Sequence, residues 1–143
     1  PVEVQDHLLP GRLGGRGLLL ARFGPGDRGL TVAVAHLSLG AGSRMLQLDF
    51  IAEVLSDHPN AVLMGDFNCD ADRPEMQALY RKTRLQPPGC LVPSFPSWGP
   101  TKQIDHILVS DTLRVVDTQA VAAAYSDHLA VAMELDVPRS ILD

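Results

Sequence analysis

The chain has 143 residues, of which 45% are hydrophobic and 20% charged, so it is long enough to bury a core and has the composition of a globular protein. Its net charge of −5 and the lack of any basic run argue against a protein that grips long nucleic acids by their phosphates. Its two cysteines, Cys69 and Cys90, exclude a disulfide framework and a cysteine-rich zinc site, and they favour a reducing compartment such as the cytoplasm.

The first part of the chain predicts a β-hairpin followed by a helix. The apolar segments 17–23 and 30–37 are typical of strands, and the turn-forming residues between them predict a hairpin. Apolar residues then recur at helical spacing from Ser43 to about Ser56, with Ser43 as the expected cap of the first turn. The glycine-rich segment 11–17 precedes a strand rather than a helix, so we interpret it as a plain loop and not as a phosphate-binding loop.

The rest of the chain predicts four strands, one helix and a long loop. A short apolar run at 61–64 predicts a strand buried on both faces, and Pro74 and Glu75 indicate the start of a helix that ends near Arg81. The segment 87–101 is rich in Pro, Gly and Ser and predicts a surface loop. The remaining strands are expected at 104–109, 113–122 and 129–137. This order of elements predicts an α/β sandwich with a mixed sheet.

Ionisable and amide side chains cluster next to the ends of the predicted strands. Such side chains converge where α/β sheets build their sites, and burying them elsewhere costs roughly several kcal/mol each unless they are paired. Taken singly, each has a structural interpretation, such as a turn at Asp66 and Asn68 or an arginine partner at Asp105. Taken together they indicate one site. The set comprises His36, Asp66, Asn68, Asp105, Asp127 and His128.

The order of these motifs resembles the endonuclease/exonuclease/phosphatase superfamily, over about residues 16 to 136. The motifs are His36-Leu37, Arg44 with Gln47, Gly65-Asp66-Phe67-Asn68, Ile104-Asp105-His106-Ile107 and Ser126-Asp127-His128. The resemblance implies a single domain, residues 1–143, that forms the C-terminal portion of the deoxyribonuclease-like four-layer fold, with mixed, mostly antiparallel sheets flanked by helices. No residue between Pro1 and Arg16 matches the Asn and the metal-binding Glu that the superfamily places upstream. We therefore expect an N-terminally truncated domain, whose natural partner is the missing N-terminal half.

The resemblance further implies a divalent-metal-dependent phosphoester hydrolase, expected to be a phosphodiesterase, in which water attacks phosphorus with the help of Mg²⁺ or Mn²⁺. Asp66 would orient or deprotonate the attacking water, and Asn68 would hold that water or a phosphate oxygen. Asp127 would lie at the metal, directly or through a water molecule. Hard cations of this kind suit carboxylate and water ligands, and they offset the negative charge that makes a phosphodiester repel hydroxide.

The histidines are implied to act on the phosphate itself. Asp105 would hydrogen-bond His128 and favour its charged ring, so that His128 stabilises the charge that develops on phosphorus. His36 would bind phosphate or assist the leaving oxygen. Trp98 and Lys102, on the loop before Asp105, are candidates for a wall over the substrate, and packing is an equally good interpretation of Trp98.

Two alternatives stay open beside the enzyme. The chain could be a non-catalytic binding module that retains the fold, or a structural fragment whose exposed apolar strands lead to self-association. Because the upstream Glu is absent, the chain alone is expected to be inactive or nearly so, and the activity would belong to the parent protein. The phosphate-ester substrate is left open between a nucleic acid, a phospholipid, an inositol phosphate and a nucleotide.

Overall fold

The computed structural model describes residues 1–12, 14–122 and 125–143 and contains seven strands and three helices in those residues. The strands are β1 (Glu3–Leu8), β2 (Gly17–Phe23), β3 (Leu30–Ala35), β4 (Ala61–Asp66), β5 (Asp105–Val109), β6 (Arg114–Val121) and β7 (Ala130–Asp136). The helices are α1 (Ala41–Leu55), α2 (Pro74–Lys82) and α3 (Arg139–Leu142). None of the helices in the described residues has the length and apolar character needed to cross a membrane.

Strands β1 to β5 form one sheet in chain order, and β6 and β7 form a separate antiparallel hairpin. Within the large sheet, β3 and β4 are parallel and the other three neighbouring pairs are antiparallel. Helix α1 makes the crossover that a parallel pair requires. The prediction of an α/β sandwich with mixed, mostly antiparallel sheets flanked by helices is confirmed.

The large sheet is covered on both faces by apolar side chains. On one face, Leu48 and Ile51 from α1 and Leu79 from α2 pack against Leu63 of β4. Its neighbour Val62 points to the opposite face, because successive side chains of a strand alternate. The second cluster comprises Val62, Val109, Leu113 and Ile141, with Ile107, Met133 and Leu135 packed against it. Coverage on both faces explains why β4 is continuously apolar in sequence.

Strand β1 was not predicted, because its residues show no apolar alternation. Most of its side chains are exposed or half-buried, so burial gives the strand little sequence signal. Backbone pairing to β2 holds it, and Arg22 of β2 forms an ion pair of 2.8 Å with Glu3. Charged residues are common on such edge strands. The predicted loop 11–17 lies between these two strands, and its Leu13 is outside the described residues.

Helix α1 begins two residues earlier than expected, and the prediction that Ser43 caps it was wrong. Gly40 is the residue before the first turn, and it makes no side-chain cap. Instead, tertiary contacts hold this end of the helix. Gln47 accepts a hydrogen bond of 2.9 Å from the backbone amide of Ser38, and the buried Arg44 side chain donates to backbone carbonyls just before the helix. The start of α1 is thus fixed by side chains one and two turns into the helix.

A buried ion pair joins α1 to α2. The Nη2 atom of Arg44 lies 2.9 Å from Oε1 of Glu75, and the two side chains are only 6% and 3% exposed. The Nε–H of Arg44 donates to the same carboxylate oxygen at 3.0 Å. The sequence predicts that the charge of Glu75 stabilises the first turn of its helix, and the structure shows that it also neutralises a buried guanidinium.

Gly65 allows β3 and β4 to approach closely just before the site. Its φ of +142° is in the region that favours glycine, and a Cβ at this position would lie 1.8 Å from the carbonyl oxygen of Ala35. One residue later, the backbone amide of Leu37 donates to the carbonyl of Asp66 at 2.9 Å. No other residue type fits here without moving one of the two strands.

We predict that Gly65→Ala lowers the free energy of unfolding by about 3 kcal/mol, because the added methyl group overlaps backbone and the backbone is strained. Urea unfolding of both proteins measures this change. Gly89→Ala is the matched control, since a Cβ there meets nothing within 4 Å. Equal unfolding midpoints for Gly65→Ala and the unchanged protein would contradict the proposed constraint.

His106 belongs to the Ile104–Ile107 motif, yet its ring is buried beneath the site. The Nε2–H group donates to the carbonyl of Cys69 at 2.8 Å, and the ring meets Phe67 edge-on at 5.3 Å. Its Nδ1 atom has no hydrogen-bond partner among the described residues. Burial lowers the pKa of His106 below the ordinary value of 6.5 and outweighs the opposing hydrogen bond and nearby carboxylates. The ring is therefore neutral in the folded chain near pH 7.

This burial predicts that stability falls as the pH falls below 6.5, because the unfolded chain then binds a proton that folded His106 does not. The loss accumulates down to the lowered folded pKa, at no more than about 1.4 kcal/mol per pH unit. Urea unfolding between pH 5 and 8 is expected to give a smaller slope for His106→Gln, whereas His7→Gln on edge strand β1 keeps it. An unchanged slope in His106→Gln would assign the dependence to other groups.

Candidate active site

Four of the predicted site residues meet at one edge of the large sheet. Asp66 ends β4, and the parallel pairing of β3 with β4 places His36 beside it. Asp105, at the start of antiparallel β5, is the direct cross-strand partner of Asp66. His128 reaches the same place from the segment before β7. Oδ2 of Asp66 lies 3.4 Å from Nε2 of His36 and 4.0 Å from Nε2 of His128.

Asp105 and His128 form a direct hydrogen bond. The Nδ1–H group of His128 donates to Oδ2 of Asp105 at 2.7 Å, and both side chains are mostly buried. The bond fixes the ring so that its other nitrogen, Nε2, faces Asp66. The contact is the one that the resemblance implied, and it determines which histidine atom is available to a substrate.

The surroundings of His128 favour its charged form. Burial is the largest single influence on the pKa of this ring and lowers it, but the hydrogen bond to Asp105 and the charges of Asp105, Asp66 and Asp127 together outweigh burial. The pKa of His128 is therefore raised above 6.5. This shift favours the protonated ring, which supplies positive charge where an anionic group would bind.

We predict that Asp105→Asn lowers the pKa of His128, because burial remains while the negative charge that strengthens the hydrogen bond to the ring is lost. An NMR titration of the His128 ring measures the shift. Asp111→Asn is the control, since Asp111 is an exposed carboxylate paired with Arg84 outside this site. If the two variants titrate alike at His128, Asp105 does not set the charge of this ring.

Asn68 closes a tight turn that holds Asp66 in place. Its φ of 53° is a conformation that Asn tolerates better than most residues, and its backbone amide donates to Oδ1 of Asp66 at 2.9 Å. Its side-chain amide donates to the carbonyl of Leu37 at 2.8 Å. The turn interpretation of these residues is therefore correct for one carboxylate oxygen of Asp66, while the other faces the two histidines.

The loop before β5 places Phe95, rather than Trp98, against the site. The ring centroids of Phe95 and His128 are 4.8 Å apart, and Nζ of Lys102 lies 5.9 Å from the centroid of Phe95. Trp98 is 79% exposed and lines a shallow depression beside the site together with Asp127. Phe95 therefore packs against the histidine ring and also lies beside the Lys102 ammonium.

A group suited to metal binding lies in the centre of this arrangement. Asp66, Asp105 and His128 each offer one ligand atom, and these atoms lie within 4.8 Å of one another. Asp127, the expected metal ligand, is outside this group in the described part of the chain, so its assignment stays a prediction. Two carboxylates at one point suit a hard divalent cation better than a soft one.

Two supporting residues gave no sequence signal. Ser94 is fully buried in the proline-rich loop, and its hydroxyl donates to Oδ2 of Asp105. Arg16 donates from Nη1 to the backbone carbonyl of His36 at 3.0 Å. Both contacts join residues far apart in sequence, and neither residue type nor local spacing distinguishes these two side chains from other loop serines and arginines.

The chain matches the family model described as the endonuclease/exonuclease/phosphatase family over residues 3–128. A search of curated proteins gave no significant match. Its fold is similar to that of a mannosyl-6-phosphatase from Bacteroides thetaiotaomicron, with 23% identity and a TM-score of 0.77, over 95% of this chain and 66% of that one. This chain thus spans just under two thirds of that structure.

Two further solved structures share the fold. The inositol polyphosphate 5-phosphatase domain of SPsynaptojanin, in complex with inositol (1,4)-bisphosphate and calcium, is 20% identical with a TM-score of 0.65, over 96% of this chain and 57% of that one. The human Nocturnin catalytic domain with bound sulfate is 17% identical with a TM-score of 0.69, over 94% of this chain and 58% of that one. At these identities the similarities establish the fold.

Proposed function

The chain belongs to the endonuclease/exonuclease/phosphatase family, and we propose that its site hydrolyses a phosphoester by attack of water on phosphorus. The proposed substrate is a phosphodiester, and the reaction is proposed to need a divalent cation. The observation that carries the proposal is the position of Asp66, whose Oδ2 lies between Nε2 of His36 and Nε2 of His128. A carboxylate between two imidazoles, open to solvent on one side, is suited to handling water beside a bound anion.

Asp66 orients the attacking water and takes its proton. One oxygen is held by the backbone amide of Asn68, so the carboxylate cannot rotate freely, and the other oxygen remains available to water. Asn68 is proposed to hold that water or a phosphate oxygen. Fixing the base before the substrate binds lowers the entropic cost of reaching the reactive geometry.

The two histidines act on the phosphate oxygens. His128, fixed and favoured in its charged form by Asp105, donates from Nε2 and stabilises the negative charge that grows on the phosphoryl oxygens. His36 is 63% exposed, so it can reach a phosphate oxygen or the leaving oxygen without displacing protein atoms. Lys102, whose ammonium lies beside Phe95, is proposed to form with Trp98 the wall over the substrate.

The cation is proposed to be Mg²⁺ or Mn²⁺, held by Asp127 directly or through a water molecule, beside the carboxylates of Asp66 and Asp105. The clustering of these carboxylates fits a hard cation, and the calcium ion in the similar 5-phosphatase structure supports a divalent one. When bound, such an ion neutralises charge on the phosphoester and polarises its P–O bond.

The names of the similar phosphatases support a phosphate ester as the substrate. The chain spans 66% of the mannosyl-6-phosphatase, so the activity is proposed for the protein with the N-terminal half that the family resemblance implies. A nucleic acid, a phospholipid and an inositol phosphate all carry the anionic phosphate group that this site would bind. The net negative charge of the chain does not favour a long polyanion such as a nucleic acid over the other two.

We predict that the protein containing this chain hydrolyses bis(4-nitrophenyl) phosphate with Mg²⁺ or Mn²⁺ and stops when EDTA is added. Asp66→Asn is expected to lower kcat by about 10²- to 10⁴-fold, because it removes the general base. His128→Ala is expected to cost about 10²- to 10³-fold, as loss of one charge-stabilising donor does. Release of 4-nitrophenolate measures both effects.

His7→Gln and Asp111→Asn, which lie outside the site, serve as controls for general damage. Full activity in Asp66→Asn or in EDTA would reject the mechanism. Faster hydrolysis of 4-nitrophenyl phosphate than of the diester would reject the phosphodiesterase assignment while leaving the site intact. Binding of inorganic phosphate without turnover of either ester would favour the non-catalytic binding module.

A further inference from the structure

Ser94 connects three segments of the chain at the back of the site. Its backbone amide donates to the carbonyl of Lys102 at 3.0 Å, which closes the loop before β5. Its carbonyl accepts from the amide of Leu129 at 2.8 Å, and its hydroxyl donates to Oδ2 of Asp105. The residue is completely buried, so water does not compete for these bonds.

These bonds hold both partners of the hydrogen bond between Asp105 and His128. Oδ2 of Asp105 accepts from the Ser94 hydroxyl and from Nδ1–H of His128, and two donors converging on one oxygen restrict rotation of the carboxylate. The bond from Leu129 to Ser94 fixes the backbone directly after His128. One buried serine therefore orients the acceptor, Asp105, and anchors the segment before β7 that carries the donor, His128.

We propose that Ser94 is a positioning residue, which sets the angle at which His128 presents Nε2 to the phosphate; the inference rests on the proposed phosphoester hydrolysis. The hydroxyl is buried away from solvent and acts through Asp105. Without it, the carboxylate can turn, and the imidazole spends less time in the orientation that faces Asp66. Loss of such a supporting contact typically lowers activity by about 10- to 100-fold.

Ser110 provides a matched control at the opposite end of β5. It is also buried, and its hydroxyl oxygen accepts a hydrogen bond of 2.9 Å from the amide of Ala61. Ser110→Ala therefore removes a buried hydroxyl and its hydrogen bond from the same region of the sheet, without touching Asp105 or His128. A purely structural role for Ser94 would make the two variants behave alike.

The kinetic test compares Ser94→Ala, Ser94→Thr and Ser110→Ala in the protein containing this chain, with bis(4-nitrophenyl) phosphate and Mn²⁺. Ser94→Ala is expected to lower kcat about 10- to 100-fold with KM changed less than about threefold, because the lost contact matters in the transition state. Ser94→Thr keeps the hydroxyl and is expected to recover most of kcat, and Ser110→Ala to keep all of it. An equal loss of kcat in Ser94→Ala and Ser110→Ala would overturn the proposal.

A second readout needs no substrate. In ¹⁵N-histidine-labelled protein, the hydrogen bond to Asp105 is expected to slow solvent exchange of the Nδ1 proton of His128. Ser94→Ala is expected to accelerate this exchange, and Ser110→Ala to leave it unchanged. Unchanged exchange in Ser94→Ala would overturn the positioning role. Accelerated exchange in a protein that hydrolyses no phosphoester would support the positioning of the pair and reject the proposed function, so the two failures are distinguishable.

Discussion

The site depends on the close approach of β3 and β4 at Gly65. Where these parallel strands end, the backbone of Ala35 occupies the space that a side chain at position 65 would need. This approach places His36 and Asp66 side by side and lets the backbone amide of Leu37 donate to the carbonyl of Asp66. Antiparallel β5 then adds Asp105 at the same edge. A backbone contact that carries no charge of its own thus determines where the charges of the site meet.

The carboxylates of the site favour a positive charge on His128, and that charge suits an anionic ligand. Three acidic groups act on His128 and favour its protonated ring, although burial works against it. The chain as a whole is acidic, with a net charge of −5, so an approaching phosphate is repelled except where cationic groups concentrate. The protonated form of His128, which Asp105 favours, and the proposed divalent cation would both offset this repulsion.

The sequence predicted the elements whose burial produces an apolar pattern, and it did not predict features that depend on contacts between distant parts of the chain. The apolar run of β4 and the polar residues just after it predicted both a buried strand and the position of Asp66. Strand β1 has no such pattern, because an edge strand is held by backbone pairing. The start of α1 follows from Arg44 and Gln47 reaching back to the preceding loop, and not from Ser43. The role of Ser94 follows only from the packing of its loop against β5, which brings its hydroxyl to Asp105.

The ion pair between Arg44 and Glu75 ties the evolution of α1 to that of α2. Losing one partner leaves a buried charge without its counterion, at a cost of about 3–5 kcal/mol, whereas exchanging both for well-packed apolar residues is often neutral. Replacing Arg44 or Glu75 alone is therefore expected to be destabilising, even where a chain with both residues replaced would fold. Related chains should keep or lose these two residues together, and a chain that loses them must hold the start of α1 by other contacts, because Arg44 also donates to the carbonyls of Ser38 and Leu39.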